Sequence, residues 1–424
     1  MPVLRGAGWG NRHGGQESFY LPFEGDDRVP VSLRDKLKAV DKPKPQNIEK
    51  PAVPASGCYH EEKALPWAEL KGIPRELAFS GRMLGLVLNQ AVPETIDPYR
   101  VLYLDTETTG LSGGVGTLAF LTGAGYFTKD GFTVHQWVMR DYPEEPFMLT
   151  ALQALCDGFQ LVVTFNGKTF DLPLLQARLL MNRMKTDAVE SLIHADLLHP
   201  ARRVWKLRLK SCRLSRLEEE IFHSPRENDL PGSEAPERFF QFLKTGNFTL
   251  LKDVIDHNRQ DIVSLARLFY RLLNVYEKPE QQSFFEDIFS VGQALEKQGE
   301  TALARHCYHL CTGGSVKAQA QLNLGRSFLR LREVDEAMSA YQRMISSHEG
   351  GLIPYIELAK LYEHRLHDVK NALEITKAAI LLASEPVLCA KTAMQEMQNE
   401  LQYRYMRLIK KAQTITLTKE ARIR

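Results

Sequence analysis

Five short β-rich segments lie between residues 101 and 197 with helix-like stretches among them, and few folds accommodate that order. VLYLD (101–105), LAFLTGAGYF (118–127) and FTVHQWVM (132–139) read as consecutive strands, with Lys129, Asp130 and Gly131 turning the second into the third. Next come a helix near Phe147 to Asp157, a strand LVVTF (161–165), a helix from Asp171 to about Met181, and a short strand around Ile193 to Leu197. A three-strand meander followed by βαβ units implies an α/β domain built on a mixed five-stranded sheet with flanking helices. A long helix from about Leu250 to Val275 closes this domain, whose expected extent is 67–278.

The flanking regions read differently. Residues 1–66 mix Gly, Pro and charge, with Pro43, Pro45, Pro51 and Pro54 breaking any apolar period, so a flexible segment is expected there with at most a short helix near Leu33 to Val40. After about residue 283 the strands stop and a repeat begins. Gly292, Gly325 and Ala359 are spaced by 33 and 34 residues, as are Leu295, Phe328 and Tyr362, and Tyr308, Tyr341 and Ile375. That period, with small residues where helices approach closely, is the sign of tetratricopeptide-like helix pairs. An all-α repeat domain is expected over 283–414, ending in a capping helix from about Pro386 to Ala412 and followed by a basic tail, 415–424.

The composition, 44% hydrophobic and 25% charged, is that of an ordinary globular chain and excludes collagen-like or wholly disordered classes. Lys and Arg (54) nearly balance Asp and Glu (52), so a polyanion would have to be held by local patches. The longest apolar runs fall far short of the roughly 20 residues of a membrane span, and the first residues lack the apolar core of a secretory signal. Six scattered cysteines suit a reducing compartment better than a disulfide framework. A cytoplasmic protein with no membrane partner is expected.

The strand VLYLD ends in Asp105, and DTETTG places Glu107 two residues on, hence on the same face. Two such carboxylates repel each other unless cations lie between them. NGKTFD (166–171) follows strand LVVTF and delivers Asp171 to a helix start, beyond the carboxyl end of a strand where α/β folds place their sites. HNRQD (257–261) sets His257 and Asp261 four apart on one helical face. Four carboxylates and a histidine at the mouths of elements are what a two-metal phosphoryl site requires, with hard oxygen ligands selecting two Mg²⁺ or Mn²⁺ ions. A nearby histidine can take a proton from water.

DTETTGL, NGKTFDLPLL and HNRQD resemble, in order and placement, the three motifs of DEDD-type ribonuclease-H-like 3′ to 5′ exonucleases. The third motif joins the histidine of one subtype to the spacing of the other. DLLHPARRVWKLRLKSCRLSRLE (196–218) and ENDLPG (227–232) resemble more narrowly the bacterial YprB-type ribonuclease-H-like domain, whose members often carry C-terminal tetratricopeptide repeats. The resemblance implies a ribonuclease-H-like fold, a hydrolase acting on phosphodiester bonds, metal ligands at Asp105, Glu107, Asp171 and Asp261, and His257 as general base. Single-stranded DNA or RNA would be the substrate.

Thr108 and Asn166 lie within the first two motifs and are candidate substrate contacts, although Asn before Gly is also an ordinary turn signal. Seven basic residues and no acidic one lie between 201 and 216, and Arg202, Arg203 and Lys206, with Trp205 for stacking, are expected to hold a single strand. Asp196 either supports the metal ligands or caps the next helix. The glycine-rich stretch 110–117 lacks the Lys-Ser/Thr ending of a P-loop and reads as a flexible rim or a plain turn. HCYHLC (306–311) lies inside a repeat helix and reads as structural thiols rather than a zinc site. The helical repeats suit a protein partner. The competing reading is a non-catalytic nucleic-acid-binding adaptor that recruits that partner.

Overall fold

The computed structural model describes residues 57–110, 116–226, 230–384 and 391–423. The expected helix near Leu33 to Val40, most of the glycine-rich stretch, residues 227–229 and the start of the capping helix lie outside the described residues.

The α/β part runs β1 (Tyr59–Pro66), α1 (Gly81–Leu88), β2 (Val101–Thr108), β3 (Ala119–Thr128), β4 (Gly131–Val138), α2 (Glu145–Cys156), β5 (Leu161–Thr164), α3 (Asp171–Met181), a helical turn at Asp187–Glu190, β6 (Ile193–Asp196), α4 (Leu198–Trp205), α5 (Leu214–Phe222), α6 (Ala235–Thr245) and α7 (Lys252–Glu277). One mixed sheet orders its strands β1-β4-β3-β2-β5-β6, with β2, β5 and β6 parallel and the other neighbours antiparallel. Among the described residues it therefore has six strands rather than five. The additional strand, β1, comes from the segment read as flexible, and it pairs with β4 along its whole length, from Tyr59 opposite Val138 to Pro66 opposite Gly131. Its charged residues Glu61, Glu62 and Lys63 hid it, because an edge strand with one solvated face carries charges that discourage further pairing.

Alternation along β2 sorts the two cores. Val101 and Tyr103 face α1, α4 and the body of α7, whereas Leu102 and Leu104 face α2, α3, α6 and the first turns of α7. Asp105 and Glu107 continue the Val101 face beyond the apolar part of the strand. Across from Asp105 in the β2–β3 register stands Gly123, and Gly125 stands across from Tyr103. A Cβ at Gly125 would lie 2.6 Å from Ile262 of α7, so the two glycines let α7 settle directly on the sheet.

The helical region follows as α8 (Phe285–Lys297), α9 (Thr301–Leu310), α10 (Lys317–Arg330), α11 (Val334–Ser346), α12 (Ile353–His364), α13 (Val369–Ser384) and α14 (Lys391–Ile423). These pack as consecutive pairs, α8 with α9, α10 with α11, and α12 with α13. The 33-residue spacing has a local cause: a Cβ at Gly292 would stand 2.9 Å from the ring of Tyr308, and one at Gly325 would stand 2.6 Å from that of Tyr341. In these two pairs a small residue on the first helix thus receives a ring from the second. The last helix continues to Ile423, past its expected end at Ala412 and through the segment read as a tail, because no Gly or Pro stops it. Arg208 clamps the helical region to the α/β part through paired hydrogen bonds to Asp287 (2.9 and 2.7 Å) and a position 3.9 Å over the Phe284 ring. No helix among the described residues is long and apolar enough to cross a membrane.

Candidate functional site

Strand β2 presents Asp105 and Glu107 at the end of its apolar run, the start of α3 presents Asp171, and α7 presents His257 and Asp261. The four carboxylates come together. Burial, then the charges of Asp261, Asp171 and Glu107, push Asp105 well above the usual carboxylate range, and a hydrogen bond from Asn258 offsets part of this. Burial pushes Asp171 up to about 6, against a 2.5 Å hydrogen bond donated by the Thr106 hydroxyl. Burial also raises Asp261, while Arg226 and His257 hold it down. His257 Nε2 lies 3.5 Å from Asp261 Oδ2 and 4.0 Å from Glu107 Oε1.

Two residues that sequence reasoning missed govern this cluster. Asn258, fully buried, donates from Nδ2 to Asp105 Oδ2 at 2.8 Å and accepts from Gln136 Nε2 at 2.8 Å. The signal was in the helix pattern: Asn258 lies one turn before Ile262 and in line with Leu265 and Phe269, so an amide occupies the apolar stripe of α7. Arg226 reaches in from beyond α5. Its guanidinium donates to Asp261 Oδ1 and to both oxygens of Glu218, and Nη1 lies 3.2 Å from His257 Nδ1. A guanidinium can only donate, so Nδ1 accepts and the ring proton sits on Nε2. Nε2 is the ring nitrogen that faces Asp261 and Glu107.

A cleft of about 540 Å³ opens beside Asp105, Thr106 and Asp171, walled by Phe165, Phe170, Leu174 and Met181. Thr108 lines it too, although its hydroxyl is engaged with the carbonyl of Gly110 at 2.8 Å. Asn166 sits on its rim with φ of 69°, the left-handed conformation that an Asn-Gly turn tolerates. Phe165 and Asn166 also line a second cavity of about 640 Å³, whose other wall carries Arg202, Lys206, Lys210 and Arg213. Asp196 settles as a staple for this region: its carboxylate accepts from the backbone N–H groups of Asn166 (2.8 Å), Lys168 (3.1 Å) and Leu198 (3.0 Å).

The basic run splits by role. Arg202 and Lys206 are exposed and face the second cavity. Arg203 donates to the Val87 carbonyl at 2.7 Å, Arg208 belongs to Asp287, and Arg216 pairs with Glu219 and Glu220. Trp205 requires correction. It is 0% exposed inside the core, so its ring cannot stack on a base. Its place follows from the helix period, since Trp205 shares a stripe with Leu198 and Ala201. Cys307 and Cys311 are buried, and burial pushes both thiols up to about 12, as expected for structural cysteines.

The donor set fits a hard divalent cation, being carboxylate oxygens of three elements in a buried place where their charges oppose one another. As they stand, no three His, Cys, Asp or Glu side chains among the described residues share a position that holds a metal ion. Thr106, Asn258 and Arg226 hold the oxygens of Asp171, Asp105 and Asp261 instead.

Comparison with known proteins places residues 102–273 in a match to the RNase H superfamily model. The chain is 30% identical over 288 residues to the uncharacterized protein YprB of Bacillus subtilis (strain 168), spanning 66% of this chain and 69% of that protein. Among solved structures, a family B DNA polymerase from the hyperthermophilic archaeon Pyrobaculum calidifontis aligns at TM-score 0.35 and 15% identity. The match covers 49% of this chain and under a third (30%) of the polymerase.

Proposed function

Since the chain belongs to the RNase H superfamily, in the family of Bacillus subtilis YprB, we propose that it is a metal-dependent nuclease, most specifically a DEDD-type exonuclease that trims single-stranded DNA or RNA from the 3′ end. The observation that carries this reading is the meeting of Asp105, Glu107, Asp171 and Asp261, from three separate elements, beside a cleft that shares its rim with a basic cavity. A buried cluster of like charges costs folding free energy, and a protein that only bound a polyanion would gain nothing from it. That argues against the adaptor.

Asp105, Glu107, Asp171 and Asp261 would hold the ions, and Mg²⁺ or Mn²⁺ bound there would supply an activated water and stabilise the leaving oxygen. The protein's own residues do the rest. Asn258 fixes Asp105 and Thr106 fixes Asp171, so two ligands are aimed before any substrate arrives. Arg202 and Lys206 neutralise the phosphates of the incoming strand, and Phe165 and Phe170 offer apolar surface to its bases. His257, the expected general base, faces Asp261 and Glu107 through Nε2. The helix pairs, read as tetratricopeptide-like, dock a protein partner, and the free cysteines Cys58, Cys156, Cys212, Cys307 and Cys311 suit a cytoplasmic setting.

A thermal-shift titration with Mn²⁺ separates the two classes. Stabilisation at millimolar metal that disappears in Asp171→Ala, together with metal-dependent hydrolysis of a single strand, is the enzyme's signature. No shift and no hydrolysis would favour the adaptor.

A further inference from the structure

Arg226 lies in the acidic cluster as an internal cation. Its side chain is 5% exposed, and it is anchored by Glu218, itself 1% exposed and further held by the Ser264 hydroxyl on α7. From that anchor it reaches both Asp261 and His257. Burial works against the charge of the guanidinium, but Glu218 and Asp261 outweigh it, so Arg226 is held firmly charged. One oxygen of Asp261 and one ring nitrogen of His257 are therefore both committed to Arg226. Asp105 and Asp171 are restrained instead by neutral donors, Asn258 and Thr106, which leave lone pairs available.

Resting on the metal-dependent reading above, we propose that Arg226 is a built-in competitor for the divalent ion: it neutralises Asp261 in the metal-free protein and is displaced from Asp261 and His257 when metal loads. A doubly charged ion among four carboxylates outcompetes a singly charged guanidinium that has already given part of its hydrogen bonding to Glu218. Displacement makes Asp261 available as a ligand and ends the contact between Nη1 and His257 Nδ1.

The test is Mn²⁺ binding, read by calorimetry and by the electron paramagnetic signal of free Mn²⁺, in the full-length protein, in Arg226→Gln, and in the double variant Glu218→Gln/Arg226→Gln. The double variant removes one charge of each sign, so the net charge of the site is unchanged and any gain reports the lost competitor. Both variants are expected to bind Mn²⁺ at least about tenfold more tightly, a difference of about 1.4 kcal/mol. Equal or weaker binding in the double variant, with the parent protein still binding, would overturn the competition and leave the metal site standing. No binding in any of the three would overturn both. Should the variants fail to fold, modification of the parent protein by phenylglyoxal decides: mapped by mass spectrometry, Arg226 is expected to react severalfold faster with Mn²⁺ present, relative to the other arginines, and an unchanged or slower rate refutes its displacement.

Discussion

Replacing Gly123 by alanine isolates the contact on which the site depends. The added Cβ would meet the side chains of Ile262 and Asn258, with Asn258 Cγ only 2.9 Å away. Restoring an ordinary carbon contact of about 3.5 Å to Cγ requires Asn258 to withdraw by at least about 0.6 Å, and its Oδ1 lies nearer still. Its 2.8 Å hydrogen bond to Asp105 then stretches beyond the roughly 3.2 Å at which such bonds keep their strength. Overpacking costs about 1–3 kcal/mol, and a weakened bond to a charged partner adds about 1 kcal/mol. Gly125→Ala is the control, because its Cβ meets Ile262 and Phe132, each at 2.6 Å, but not Asn258. Urea unfolding should show both variants destabilised, Gly123→Ala by about 2–4 kcal/mol. Hydrolysis and Mn²⁺ affinity should fall about tenfold or more in Gly123→Ala alone, since a misplacement of this order at a reacting centre is felt strongly. A Gly123→Ala protein with parental stability and activity, or equal loss of activity in Gly125→Ala, would refute the assignment of Asn258 as the residue that aims Asp105.

Other predictions address separate parts of the molecule. The folded-state pKa of Asp171 is raised from 3.8 to about 6, so the folded protein binds its proton more tightly than the unfolded chain. The associated stability is complete below pH 3.8 and is lost as pH rises through about 6. Urea midpoints of the metal-free protein should decline across that window, and Asp171→Asn should flatten the decline; an unchanged slope contradicts the buried-carboxyl account. Arg202→Ala/Lys206→Ala should weaken single-strand binding and lower the magnitude of its salt dependence by about 1–2, as measured by fluorescence anisotropy at several salt concentrations. Trp205→Phe should cost stability while leaving that affinity unchanged, and a selective loss of binding would restore the stacking role. In the helical region, Glu363 is 1% exposed and accepts from Arg407 (2.6 Å) and Arg404 (3.3 Å), with Lys411 at 3.6 Å. Glu363→Ala should loosen α14 and cost about 2 kcal/mol, less than a fully buried pair, because Arg407 and Lys411 are partly solvated. Hydrogen exchange confined to α13 and α14 is the readout.

Legibility in the sequence tracked how local each cause is. The alternation in VLYLDTET revealed both faces of β2 and put Asp105 and Glu107 together, because a two-residue period needs no knowledge of the rest of the chain. The 33-residue spacing of Gly292 with Gly325 and of Tyr308 with Tyr341 was legible because each glycine and ring meet within one helix pair. β1 was not, since an edge strand carrying Glu61, Glu62 and Lys63 presents the composition of a loop, and only its pairing with β4 makes it a strand. Trp205 was misread because the charges around it drew attention from the stripe it shares with Leu198 and Ala201. Arg226 left no local signature at all. It lies outside every motif, and its role arises from the tertiary approach of residues after α5 to α7.

The central claim is most directly tested by a time course of 5′-labelled single-stranded DNA and RNA of equal sequence with Mn²⁺, run beside Asp105→Ala. The variant removes a ligand and relieves carboxylate repulsion, so it should fold normally and be inactive. The account predicts a metal-dependent ladder shortening from the 3′ end in the parent protein and none in the variant; a folded Asp105→Ala protein with full activity, or no cleavage of either strand by the parent, would contradict it.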